Sequence, residues 1–272
     1  MSVSSSRKPA PDAVTADEVL AAHFTLVNVP GAIETIVLDG ASGWTSPNPY
    51  PVLSLMRWTT QDPAQATADL DTVLERFRPE RRGFDWMTGP RCAEAGLTEL
   101  MAERGFVPPA LQVAAMVKEL GPECLDAEEA VDGYRICRAP DDDRQAWQLM
   151  ASGFDVPEEV GEVYHRAYVT ASPHQRTDVY KAETTSTGDI AAVGYLSWIA
   201  DGANVLLRVS ATAEQHGGKG LYRALVLARL AEAARRGARR AFVHAYSEWS
   251  QRALAQLGFS EVGRLQLHRW RA

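Results

Sequence analysis

The chain has little of what would tie it to a disulfide framework or a metal centre. Its three cysteines, Cys92, Cys124 and Cys137, form an odd set with no Cys-x-x-Cys pair. The six histidines are scattered without a His-x-x-x-His, so no metal site is expected. A basic excess is missing too: 35 acidic against 28 basic side chains leave a net charge of -7, which argues against nucleic acid as a partner. No stretch approaches the roughly 18 uncharged apolar residues of a membrane span, and the Ser-rich, charged start carries no apolar signal segment. These absences point to a soluble, cytoplasmic protein with neither membrane nor nucleic acid as partner. With 46% hydrophobic residues and ordinary Gly 20 and Pro 15, collagen, coiled coil and wholesale disorder are excluded.

What is present divides into two. A length of 272 residues suits two domains better than one. Residues 1–18 are read as a flexible N-terminus, 19–120 as a first domain, the acidic stretch 121–132 with Gly121 and Pro122 as a linker, and 133–272 as a second domain. In the first domain, apolar runs at 34–38, 51–56 and 84–87 read as strands. Asp62 before Pro63 starts a helix carrying Ala66, Leu70, Val73, Leu74 and Phe77 at helical spacing. A second helix around Leu97 to Met101 ends at Gly105, and 111–117 closes the domain as a strand.

The second domain opens with a strand at 134–137 and helices around 141–150 and 157–168. Strands follow at 178–182, 190–198 and 204–210. A Gly-rich turn, Gln215-His216-Gly217-Gly218-Lys219-Gly220, leads into a helix with Leu221, Leu225, Ala228 and Ala231 on one face, stopped by Gly237. A strand at 241–245, a short helix at 250–257 and a last strand around 264–267 complete the pattern. Both halves end alike, Arg104-Gly105-Phe106 and Leu257-Gly258-Phe259 each following a helix and preceding a strand, which suggests an internal duplication.

Chemistry concentrates at the Gly-rich turn. A helix start offers unpaired backbone N–H groups and a partial positive charge, and glycines let an anion approach without a Cβ in the way. A Walker loop would need Gly at position 213 and Ser or Thr at 220, where Ala213 and Gly220 stand; the dinucleotide fingerprint would need an acid where Arg239 and Arg240 lie. Neither ATP nor NAD fits.

The turn does match Gln-x-x-Gly-x-Gly. With the strand before it and the helix, strand, short helix and Leu257-Gly258-Phe259 after it, the chain from about 133 to 272 resembles the Gcn5-related N-acetyltransferase (GNAT) superfamily. That resemblance implies an α+β fold, a mixed, mostly antiparallel sheet flanked by helices, here as two tandem copies, the first degenerate. It implies acetyl-coenzyme A as cosubstrate and transfer of an acetyl group to a primary amine of a small molecule or a protein. The pantetheine arm would meet Val209 and Ser210, and the pyrophosphate the loop from Gln215 and His216 through Gly217, Gly218, Lys219 and Gly220 to Leu221, with Ser247 alongside. The first half has no glycine between Thr59 and Pro63, so one cofactor site is expected.

The family's usual thiolate acid, a Tyr four residues before the Gly of the Gly-Phe pair, is Leu254 here, and its Asn seven residues earlier is Ser247. Tyr246, Ser250 or water remain as candidates for the acid. For the base, Glu158 leads, with Glu159, Glu162, His165 and His244 as further titratable groups; for the glutamates a solvated helix face is the favoured account. Arg208 in an apolar strand either faces a cleft or pairs with an acid. Arg229, Arg235 and Arg236 are explained by a helix C-terminus. Trp198, Trp249 and Trp270 read as core, with an acceptor pocket as the alternative. A non-catalytic acyl-coenzyme A sensor or assembly module is the competing function, and a homodimer is left open.

Overall fold

A computed structural model describes residues 13–25, 28–127, 129–170, 176–199 and 202–271. The first half begins with α1 (Ala16–His23), β1 (Glu34–Val37), β2 (Ala41–Thr45) and β3 (Leu55–Trp58). It continues through α2 (Pro63–Phe77), β4 (Phe84–Thr88), α3 (Pro90–Glu94), α4 (Leu97–Glu103) and β5 (Phe106–Glu119). The second half runs β6 (Tyr134–Arg138), α5 (Arg144–Gly153), α6 (Glu158–Val169), β7 (Thr177–Thr184), β8 (Ile190–Trp198) and β9 (Asn204–Thr212). It ends with α7 (Leu221–Arg235), β10 (Arg240–Ala245), α8 (Glu248–Gln256) and β11 (Ser260–Trp270).

All strands join one eleven-stranded sheet in the order β1-β2-β3-β4-β11-β5-β10-β9-β8-β7-β6. Two pairs are parallel, β3 with β4 and β9 with β10, each bridged by a long helix, α2 or α7; the rest are antiparallel. The duplicated ending is visible: α4 and α8 are followed by Gly105 (φ +85°) and Gly258 (φ +86°), both left-handed, then by β5 and β11. The closing strands are exchanged, however. β11 pairs with β4 of the first half and β5 with β10 of the second, so the runs on either side of 121–132 share a sheet instead of having one each.

Three elements differ from the sequence reading. Residues 16–18, expected to be flexible, are the first turn of α1, because Thr15 and Glu18 form a reciprocal capping box; residues 1–12 of that expected tail lie outside the described residues. β2 was not anticipated, since Gly43 and Ser42 weaken its strand signature. Residues 51–53 form a 3-10 turn that Pro51 starts, so the strand begins at Leu55.

The apolar faces of the helices cover both sides of the sheet. Ala66, Leu70, Val73, Leu74 and Phe77 of α2 pack on Trp58, Phe84 and Trp86. Leu221, Leu225, Val226 and Leu230 of α7 pack with Leu254, Leu257 and Phe259 against Val205, Leu207, Ala241 and Val243. α1 covers the opposite face, where Val19 and Leu20 cluster with Ala115, Leu206 and Phe242. Trp198 and Trp270 are buried, as core aromatics should be.

Candidate functional site: an open helix start beside a parted strand pair

β9 passes through Ala213 and a 3-10 turn (Glu214–His216) into four residues, 217–220, before α7 begins. Gly218 (φ +73°) and Gly220 (φ +81°) are left-handed, a conformation that costs an L-residue about 1–2 kcal/mol. A Cβ on either would meet nothing within 4 Å, so the space above the turn is clear. Gly220 is the N-cap of α7 and offers no capping side chain. The first-turn amides of α7 therefore face outward without a partner of their own, which fits an anion. Leu221, buried beneath, fixes the start of the helix. Gln215, Gly217 and Lys219 are exposed around it.

Tyr134 of β6 organises the rim. Its hydroxyl lies 2.7 Å from His216 Nδ1 and accepts from Lys219 Nζ at 2.9 Å, so one phenol holds two of the loop's polar side chains. Arg223 is spent elsewhere, on Glu129 at 2.6 Å. The equivalent helix start of the first half is closed: the Asp62 carboxylate accepts from Ala64 N at 3.0 Å, placing a negative charge where an anion would sit.

Beside the loop the sheet opens. The parallel ladder between β9 and β10 ends at Leu207 and Val243, although β9 runs on to Thr212 and β10 to Ala245. Within the same stretch β9 carries a bulge against β8: Tyr195 pairs with Arg208 and Gly194 with Ser210, leaving Val209 (φ +31°) unpaired. Ser210 turns its hydroxyl to Arg229 Nη2 at 2.8 Å. Val209 and Ser210 thus stand at the mouth of the gap.

Tyr246 follows the end of β10. The residue is 40% exposed, yet the desolvating surroundings, reinforced by Tyr168, raise its pKa well above the ordinary value, so it keeps its proton. It has no hydrogen-bond partner among the described residues. Tyr164 and Tyr168 of α6 stack at 5.7 Å, Tyr164 donates to the carbonyl of Val52, and the Arg208 guanidinium lies 5.0 Å from the Tyr168 ring. Asp85 of β4, which accepts both arms of Arg269 at 2.7 and 2.8 Å, is near enough to Tyr164 and Tyr246 to act on both electrostatically, so residues of both halves of the chain gather beside Tyr246. Tyr164 and Tyr168 went unnoticed in the sequence, although their i, i+4 spacing puts them on one helix face.

The other candidates are placed apart. Ser247 and Ser250 cap α8: Ser250 N donates to Ser247 Oγ at 3.1 Å, and Ser250 Oγ to Ser247 O at 2.8 Å. Glu158 is exposed, its carboxyl held below the usual range by Gln148 Nε2 at 2.9 Å and Arg144 Nη2 at 3.0 Å. Glu159 accepts from Tyr50 at 3.3 Å. His165 is a satisfied core residue, 2.8 Å from Tyr195 Oη and 2.7 Å from Asp141 O. Leu254 is the fully buried residue of α8. Strand alternation puts Tyr195 and Trp198 on opposite faces of the sheet: Tyr195 packs with Tyr168 and Trp198 with α7. Trp249 is exposed, edge-on to Tyr222 at 4.9 Å.

Among the described residues no helix is long and apolar enough to cross a membrane, and no group of three or more His, Cys, Asp or Glu side chains is placed to hold a metal.

Solved structures share this architecture. A Gcn5-related N-acetyltransferase from Kribbella flavida superposes over 95% of this chain and 96% of its own, with a TM-score of 0.69 at 17% identity. A tandem GNAT protein from the clavulanic acid biosynthesis pathway covers 98% and 90%, with 0.65 at 16%. A Gcn5-related N-acetyltransferase from Sphaerobacter thermophilus covers 97% and 87%, with 0.62 at 18%. No known family profile matches the sequence, and no curated protein does. The chain has the GNAT fold, an α+β fold with a mixed, mostly antiparallel sheet.

Proposed function

We propose that the protein is an acetyl-coenzyme A-dependent N-acetyltransferase that moves an acetyl group to a primary amine by direct attack within a ternary complex. The observation that carries this is the open start of α7, set beside the only parallel pair that parts within the second half of the described sheet. In this reading the amides from His216 to Leu221 hold the pyrophosphate, with Lys219 and His216 braced by Tyr134. The main chain of Val209 and Ser210 meets the pantetheine arm, and the thioester lies between β9 and β10.

As the amine nitrogen bonds to the carbonyl carbon and the C–S bond breaks, the surplus amine proton passes to water. Tyr246 Oη, which keeps its proton at neutral pH, gives it to the departing thiolate and regains one from the water that took up the amine proton. The amine enters over the cleft of Tyr164, Tyr168 and Asp85. An overall charge of -7 favours a cationic acceptor.

A second reading is a non-catalytic acyl-coenzyme A binder; Leu254 in the place of the family's acid and the two serines consumed in capping α8 favour it. Calorimetric titration with acetyl-coenzyme A, coenzyme A and ATP tests what both readings share: saturable binding of the coenzymes near one site per chain, and none of ATP. Turnover with an amine panel then separates them, since a binder leaves the thioester intact. Absence of binding by either coenzyme overturns both.

A further inference from the structure

Arg229 is the one helix-borne arginine of α7 that no surface explains. It is fully buried and has no carboxylate partner among the described residues. Burial brings its pKa down to about 10, which still leaves a cation at neutral pH. Its four hydrogen bonds among the described residues all go to neutral oxygens: Leu225 O at 2.9 Å, Tyr195 O at 3.0 Å, Arg208 O at 3.2 Å and Ser210 Oγ at 2.8 Å.

Three of those oxygens surround the bulge. Tyr195 and Arg208 are the last regular pair before Val209, and Ser210 is the first paired residue after it. An extra residue in one strand disrupts the ladder locally, and a planar fork of donors can span the disruption where a point charge cannot. β8 makes room for the fork with a glycine: a Cβ on Gly194 would stand 2.6 Å from Arg229 Cζ. Bulge, glycine and arginine form one device. A buried cation is costly, and an apolar side chain of similar volume commonly serves stability as well, so stability alone does not account for it.

We infer that Arg229 is a positioning residue: it fixes the Val209 bulge so that the main chain of Val209 and Ser210 is held toward the gap between β9 and β10. The inference rests on the proposed reading of that gap as the pantetheine site. It separates two parts of the coenzyme, because Arg229 reaches the bulge but none of the loop residues 215–220.

The test titrates the full-length wild type, Arg229→Met, Arg229→Lys and Gly194→Ala with acetyl-coenzyme A and with its 3′-phospho-ADP fragment, which lacks the pantetheine arm. Arg229→Met and Gly194→Ala should bind acetyl-coenzyme A about tenfold more weakly, while the fragment binds within about twofold of wild type. Arg229→Lys, which keeps the charge without the fork, should lose affinity for acetyl-coenzyme A as well. If Arg229→Met does not fold, Arg229→Lys and Gly194→Ala carry the comparison. Wild-type affinity for acetyl-coenzyme A in these variants, or equal losses for both ligands, overturns the positioning role. A wild type that binds neither ligand overturns the proposed function itself.

Discussion

Arg208 of β9 donates from Nη2 to the carbonyl of His23 at 2.8 Å, so the residue next to the bulge caps the last turn of a helix from the other half of the chain. The same nitrogen reaches Thr25 Oγ1 at 2.8 Å, Nε donates to Ser197 Oγ at 2.8 Å, and Nη1 lies 3.2 Å from His23 Nδ1. Of the two sequence alternatives, pairing with an acid fails: its hydrogen bonds go to the C-terminus of α1 and to neutral side chains, while its guanidinium faces the Tyr168 ring. Arg208→Met would leave those buried oxygens unpaired, at a cost of about 2–4 kcal/mol. Urea unfolding should show that loss, and an unchanged midpoint would mean that α1 is held by its apolar face alone.

Gly218→Val forces a β-branched residue into a left-handed conformation and adds side chain where an anion would approach. Nothing inside the protein stands within 4 Å of the new Cβ, so the folded state should lose only about 1–2 kcal/mol. Calorimetry should nevertheless show acetyl-coenzyme A binding abolished. Retention of wild-type affinity would remove the cradle from the α7 start.

Tyr246→Phe deletes one hydroxyl that has no hydrogen-bond partner among the described residues, so folding and coenzyme affinity should stay close to wild type. If that hydroxyl protonates the thiolate, turnover should fall by about a hundredfold. An unaltered rate across the pH range would assign the proton to water.

The long periodic elements were legible. α2 was read from Asp62-Pro63 and its apolar spacing, α7 from the glycine turn and Leu221, and β8 and β9 from their apolar runs. α1 was missed although Thr15-Ala-Asp-Glu18 spells a capping box, because the Ser- and Pro-rich residues before it suggested a tail. The exchange of β5 and β11 has no local signature: the two strands carry similar patterns, and which half each joins is decided by pairing across more than a hundred residues. The glycine turn before α7 was legible because it is one contiguous stretch of chain. The cleft was not, since Asp85, Tyr164, Arg208 and Tyr246 meet only through the sheet. Arg229 was read with Arg235 and Arg236 as a cation of a helix C-terminus, but it lies inside α7 and is fully buried, and its partner Gly194 is on another strand.

Histidines set the acid limit of this fold. His244 donates from Nε2 to Val19 O at 3.0 Å, stacks on His23 at 5.0 Å, and is pushed down to about 4 by burial, with Arg208 acting in the same direction. His268, 3.1 Å from Thr88 Oγ1, is brought to about 4 by burial alone. Burial also lowers His23 and His165. In the unfolded chain such groups titrate near 6.5, so folded and unfolded states are alike above that pH, and below it only the unfolded state gains protons. Stability is therefore full above about pH 6.5 and falls as the pH drops toward 4, by about 2 kcal/mol for each of His244 and His268 between pH 7 and pH 5. Carboxylates held low by partners, Asp71 by Arg104 and Glu183 by Arg135, add their losses only below the ordinary carboxylate range. Urea midpoints at pH 7 and pH 5 should differ clearly in the wild type, and His268→Asn, which retains a polar group for Thr88, should narrow the difference by about 2 kcal/mol. A wild-type midpoint that does not move over this interval would show that these imidazoles take up protons in the folded state as readily as in the unfolded one.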